Sequence, residues 1–252
     1  MDFLTSFCIC FAMYSILPMP TMDWTQKKMR FCFCFFPLIG VVIGAATLVV
    51  YLLLQPIFTP AFTAVILLLM PICISGGIHL DGLIDSCDAF FSFGDKQKKL
   101  DILKDPRTGA FGVIGAVIYC LLLFASYYQI VTNDRFICLL SFVFVISRCV
   151  GALCMLYLKN ARTNGLGATF SDASDRVNVF ALWFFLCLAW VGVLLLHPFL
   201  GLALLCCTAV FLALYLPYIK REFGGITGDL TGFIITALEL ILPFAIAIGG
   251  AL

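Results

Sequence analysis

About seven apolar runs, each of the roughly 18–23 residues that a helix needs to cross a bilayer, occupy residues 33–54, 61–78, 110–130, 136–158, 179–196, 201–218 and 230–252. A backbone in lipid must satisfy its own N–H and C=O groups, so such runs fold as helices packed into a bundle. The chain therefore reads as an all-α, polytopic integral membrane helical bundle of about seven transmembrane helices, a single domain over 1–252. An eighth run, 3–17, is shorter and carries Cys, Thr and Ser, so it either crosses at a tilt or lies in the interface. Composition agrees: 63% of residues are hydrophobic and 12% charged, half the charge of an ordinary soluble domain at about 25%. That excludes a soluble enzyme, a disordered chain and a nucleic-acid binder.

Turn chemistry separates the runs at Pro18-Met19-Pro20, Gln55-Pro56, Thr59-Pro60, Asn133-Asp134, Asn164-Gly165, His197-Pro198 and Gly224-Gly225. With a formal net charge of only +1, the information lies in where the cations sit. Lys27, Lys28 and Arg30 share one connection. Lys96, Lys98, Lys99, Lys104 and Arg107 share a second, Lys159, Arg162 and Arg176 a third, and Lys220 and Arg221 a fourth. The connections between carry almost none, Arg135 excepted, and this alternation places the four basic loops in the cytoplasm. Thirteen cysteines lie mostly inside apolar runs and read as small buried hydrophobes. The Cys8/Cys10 and Cys32/Cys34 pairs lack a neighbouring His or second thiol pair to complete a zinc site. The N-terminus does not read as a cleaved signal peptide, since Asp2 stands where a positive region belongs. The two halves carry no matching broken helices, which counts against an inverted-repeat transporter.

Chemistry concentrates between Ser75 and Phe90. If the preceding span continues through this segment as a helix, Asp81, Asp85 and Asp88 stand at i, i+4 and i+7 on one face. Like charges at that spacing repel, and a divalent cation between them relieves the repulsion. Hard oxygen ligands favour Mg²⁺, Mn²⁺ or Ca²⁺ over zinc. A solvated helix end is the alternative, but Gly76, Gly77 and Gly82 permit close approach and acids at membrane depth are costly unless they face a cavity. His79 either orients a phosphate or a carboxylate, or caps the helix. Asp95 opens a basic amphipathic stretch through Lys104 and Arg107, which reads as a surface helix at anionic headgroups or as a phosphate-binding lid. Carboxylates beside cations suit phosphoryl transfer. Arg162-Thr163-Asn164-Gly165-Leu166-Gly167 is a Gly-punctuated loop able to cradle an anion. Gly224-Gly225-Ile226-Thr227-Gly228-Asp229 puts Gly225, Thr227 and Asp229 at a helix N-terminus, a natural phosphate site. Arg148 and Glu239 are costly intramembrane charges, expected to pair.

The stretch 76–115, GGIHLDGLIDSCDAFFSFGDKQKKLDILKDPRTGAFGVIG, closely resembles the signature of the adenosylcobinamide-GDP ribazoletransferase, or cobalamin-5'-phosphate synthase, family. Pro18-Met19-Pro20, Phe36-Pro37-Leu38-Ile39-Gly40, Ala161-Arg162 with Gly165-Leu166-Gly167, and 224–229 are similar to further family elements, in the family's order. The sequence departs at Ala89, Lys96 and Pro106, and none of these removes a carboxylate. The resemblance implies a transferase of the bacterial cytoplasmic membrane, acting at the last stage of cobalamin nucleotide loop assembly with its active site facing the cytoplasm. It implies adenosylcobinamide-GDP and α-ribazole or its 5'-phosphate as substrates, GMP as product and Mg²⁺ as cofactor. On that reading Asp81, Asp85 and Asp88 hold metal, one of them or His79 accepts the hydroxyl proton, and Asp95, Lys104, Arg107, Arg162, Gly225, Thr227 and Asp229 bind substrate. The lipid bilayer is the remaining partner, and oligomeric state stays open, a homo-oligomer included. The acidic motif is also similar to that of CDP-alcohol phosphotransferases, but Ile84-Asp85 stands where those have Ala-Arg. A cation transporter using the three aspartates is the other alternative.

Overall fold

A computed structural model describes residues 2–162 and 165–250 of the chain. Thr163 and Asn164 of the anticipated anion-cradling loop lie outside the described residues. The elements are helices in the order α1 (Asp2–Tyr14), α2 (Gln26–Met29), α3 (Cys32–Leu54), α4 (Pro60–Ile74), α5 (Ile78–Phe90), α6 (Lys96–Ile102) and α7 (Ala110–Thr132). They continue with a 3-10 turn (Asp134–Phe136), α8 (Ile137–Tyr157), α9 (Leu166–Ala173), α10 (Arg176–Leu196), α11 (Pro198–Phe223) and α12 (Gly228–Gly249). Six are long and apolar enough to cross a membrane, and α4 with α5 makes a seventh, bent, candidate. The α1 helix has 13 residues, about 20 Å at 1.5 Å per residue, short of a hydrocarbon core of about 30 Å. It packs on α3 instead.

The α8 helix is the most enclosed of the spans, while α7, α10 and α11 turn much of their surface outward. Its crossing with α3 is made possible by glycine. Gly40 and Gly44 sit one helical turn apart, and a Cβ on Gly40 would strike the Phe144 carbonyl, one on Gly44 the Ser141 Cα at 2.8 Å. Small residues at i and i+4 let backbones approach where no hydrophobic effect drives helices together. Ser141 Oγ adds a hydrogen bond to the Gly44 carbonyl at 3.1 Å. Arg148 of α8 pairs with Glu239 of α12 as expected, both almost fully buried, and Ser147 Oγ donates to the same carboxylate at 3.2 Å. All thirteen cysteines are free thiols; seven are buried, whereas Cys73, Cys138, Cys187 and Cys206 are exposed.

The span drawn over 61–78 does not run on into the aspartates. The chain bends by 91° between α4 and α5, because Gly76 and Gly77 adopt φ of 65° and 77°, left-handed values that glycine reaches without a Cβ clash. Ile16, just after α1, donates its N–H to the Ile74 carbonyl at 2.9 Å and so ties the bend to the N-terminal segment.

The basic connections meet at one end of the bundle. Arg30 Nε donates to Asp175 at 2.7 Å, Lys99 pairs with Glu222 at 2.5 Å, and Arg162 donates to the Leu100 carbonyl. Those contacts join the segments around α2, α6, α9 and the end of α11 into one polar face.

Candidate active site

Asp81, Asp85 and Asp88 lie on α5 at the expected spacing, yet they do different work. Asp88 accepts the Gly109 N–H at 2.7 Å and the Gly112 N–H at 2.8 Å. It thereby caps α7, whose first N–H groups have no partner within the helix. Glycine is needed at both positions, since a Cβ on either would come within 2.5 Å of a carboxylate oxygen. Asp81 is exposed and Asp85 half-buried. Asp85 lies in the field of Asp81, Asp229 and Asp88, opposed by Arg162.

Asp229 reaches this cluster because α12 crosses α5 at a glycine contact. A Cβ on Gly82 would meet the Asp229 carbonyl at 2.7 Å and the Gly232 Cα at 3.2 Å, and Ser86 Oγ donates to the Asp229 carbonyl at 3.4 Å. Thr227 is the N-cap of α12, its Oγ1 accepting the Leu230 N–H at 3.2 Å. The glycines before it divide their roles. Gly224 closes α11 at φ 77°. Gly225 packs against backbone, a Cβ there overlapping the Lys159 carbonyl, whereas Gly228 has open space around its Cβ position and lines the cavity described below. Gly225 thus lets the turn pack closely against the Lys159–Ala161 backbone.

The same turn delivers Arg162. Ala161 donates its N–H to the Ile226 carbonyl at 2.8 Å and Ile226 donates to the Lys159 carbonyl at 2.9 Å, forming the one isolated bridge, Asn160 to Ile226, found among the described residues. From it the Arg162 side chain spans the Leu100 carbonyl and the Asp229 carboxylate, the latter at 3.7 Å. Burial lowers the pKa of Arg162, with Asp229, Asp101 and Asp85 opposing that shift. Its Nε is buried without a hydrogen-bond partner.

The remaining anticipated residues lie at α6, on the segment after it and on α5. Asp95 is the N-cap of α6, accepting the Lys98 N–H at 2.9 Å. Lys104 is exposed. Arg107 is exposed and turned onto Asp105 at 2.8 Å, whose carboxyl is held down at about 2 by the hydrogen bonds from Arg107. His79 is 5% exposed and does not cap α5, because Gly77 occupies that position. Its ring lies parallel to Tyr14 with centroids 6.2 Å apart and edge-on to Phe36 at 5.9 Å.

A cavity of ≈ 390 Å³ opens at this cluster. Asp81, Arg162, Thr227 and Asp229 are among its polar lining, and Tyr14, Phe33, Phe36 and His79 among the rings. Asp81, Asp85 and Asp229 are hard oxygen donors. Among the described residues no three His, Cys, Asp or Glu side chains close into a metal cage. Such a set fits a hard ion that takes one or two carboxylates and completes its shell with phosphate oxygens and water, as Mg²⁺ does.

Of the residues that stand out in the sequence, His79, Asp81, Arg162, Thr227 and Asp229 line the cavity, while Tyr14 and Phe33, which come from two helices remote in sequence, carry no local signal that points there. Gly44, four residues after Gly40, does carry one, since that spacing marks a close helix crossing.

The profile of the cobalamin-5-phosphate synthase family matches residues 6–247, the family that the 76–115 signature resembles. An adenosylcobinamide-GDP ribazoletransferase of Lachnoclostridium phytofermentans is 35% identical over 250 residues, covering 98% of this chain and 95% of that protein. Proteins of the same name from Clostridium botulinum and Halalkalibacterium halodurans are 30% identical over 241 residues and 34% over 224. They cover 93% and 87% of this chain, and 93% and 85% of their own lengths. No solved structure matches the chain.

Proposed function

Since this chain belongs to the cobalamin-5-phosphate synthase family, a family of membrane transferases, we propose that it joins adenosylcobinamide-GDP to α-ribazole or α-ribazole 5'-phosphate and releases GMP. The observation that carries the reading is the convergence of Asp81, Asp229 and Arg162 on one cavity, with Asp85 in the field of all three. The ribazole 3'-hydroxyl attacks the phosphorus attached to cobinamide, the bond from that phosphorus to the GMP oxygen breaks, and the hydroxyl proton passes to a carboxylate of the cluster. One or two of the carboxylates of Asp81, Asp85 and Asp229 would hold Mg²⁺, which when bound neutralises charge on the pyrophosphate. Arg162, braced by the Leu100 carbonyl, faces the charge gathering on the leaving phosphate. The open space at Gly228 lets a phosphate oxygen approach the first N–H groups of α12. Lys104 and Arg107, exposed beyond α6, raise the local concentration of an anionic nucleotide. The clustering of basic connections on one face favours a site open to the cytoplasm, across the bacterial cytoplasmic membrane.

Product identity tests this. Purified protein given adenosylcobinamide-GDP, α-ribazole and Mg²⁺ is expected to form GMP and cobalamin together, and GMP only with both organic substrates present. Release of CMP from a CDP-activated lipid, with no GMP from the corrinoid nucleotide, would replace this reading by a phospholipid synthase.

A further inference from the structure

The cavity changes character with depth. At its mouth Asp81 is exposed and the Arg162 and Asp229 side chains are partly so. Behind them Phe33, Phe36, Ala152, Met155 and Ile235 are all buried, and Tyr14 stacks with His79 across one wall. Two polar groups of the deep lining differ in their partners: Thr231 Oγ1 already donates to the Thr227 carbonyl at 2.9 Å, whereas His79 Nε2 is buried with no hydrogen-bond partner.

Resting on the transferase reading, we propose that this deep aromatic chamber binds the heterocyclic base of the attacking nucleoside, with the imidazole of His79, which lines it, as the polar partner of its one unsubstituted ring nitrogen. Size, polarity and position each narrow the choice. A cavity of ≈ 390 Å³ lies toward the small end of ligand sites, roughly 300–1,000 Å³; it accommodates a nucleoside and is too small to enclose a corrin ring with its side chains. A guanine edge brings several donors and acceptors, and the apolar depth would leave most of them unsatisfied. An N-glycosylated benzimidazole presents a flat apolar face and a single acceptor, which matches aromatic walls and one imidazole nitrogen without a hydrogen-bond partner. Seating the base at the bottom also directs its ribose toward the mouth, where the hydroxyl must meet the phosphorus.

The test is steady-state kinetics on the full-length enzyme with Tyr14→Leu and His79→Phe, each checked by thermal melt. The expected result is a KM for α-ribazole raised about tenfold or more in both, with the KM for adenosylcobinamide-GDP unchanged. Unchanged α-ribazole KM in two folded variants, or a rise confined to the corrinoid nucleotide, overturns the assignment while leaving the transferase reading intact. Should either variant fail to fold, free benzimidazole against the wild-type enzyme decides: competition with α-ribazole alone supports the chamber, and absence of inhibition, or competition with the corrinoid nucleotide, refutes it. Failure of the wild type to form GMP at all removes the parent reading as well.

Discussion

Three acidic side chains, Asp88, Glu239 and Asp85, are separated by their burial and their partners. Asp88 accepts one backbone N–H at each carboxylate oxygen, an arrangement an amide cannot reproduce, because one of its two terminal atoms is a donor. Asp88→Asn is therefore expected to lower thermal stability by about 1.5–3 kcal/mol, the range for a hydrogen bond to a charged group, which a thermal melt in detergent would register. Glu239 is paired with Arg148 out of reach of water. Glu239→Gln keeps its volume but strands a buried guanidinium, and stability should fall by about 3–5 kcal/mol, with loss of folded protein in size-exclusion profiles. Asp85 has neighbouring carboxylates for company and loses little structure when neutralised, so its substitution should strike turnover instead. The aspartate spacing was legible in the sequence, since i, i+4 and i+7 place side chains on one helix face in any fold. What distinguished Asp88 was not: its partners lie 21 and 24 residues away, in a segment that reads only as the start of a span.

The elements are positioned by glycine more than by large side chains. At Gly82 the α5 and α12 backbones meet, and any side chain there must push the two acid-bearing helices apart. Gly82→Val should lower both melting temperature and turnover, whereas Gly228→Ala, where nothing stands near the Cβ position, should leave stability alone. At Gly225 the obstacle is the Lys159 carbonyl, so Gly225→Val is expected to disturb the bridge that carries Arg162 and to depress kcat together with stability, rather than to raise a KM alone. Span number and most helix ends were readable from apolar length and turn residues. The break ahead of α5 was not, because Ile74 and Ile78 flank it in an otherwise continuous apolar run and only the left-handed glycines give it away. The site's aromatic chamber was equally hidden, as helix packing, and no local pattern, brings α1 and α3 to α5.

On the scale of the whole molecule, one end gathers the basic connections and the acid cluster, and the outward faces of α7, α10 and α11 remain apolar for lipid. Reporter cysteines near Lys98 and Pro198 in a cysteine-depleted background should be labelled from opposite sides of sealed vesicles by an impermeant reagent; labelling from the same side would reverse the orientation argued from the cations. The central claim is that Asp81, Asp85 and Asp229 form the reacting centre, while Asp95 serves as the cap of α6. Its most direct test is the Mg²⁺ dependence of GMP release by Asp85→Asn, Asp229→Asn and Asp95→Asn beside the wild type. The account predicts loss of kcat by orders of magnitude in the first two at unchanged melting temperature, and near wild-type turnover in the third, since Asn caps a helix about as well as Asp. Full turnover in Asp85→Asn, or an equal loss in Asp95→Asn, would contradict it.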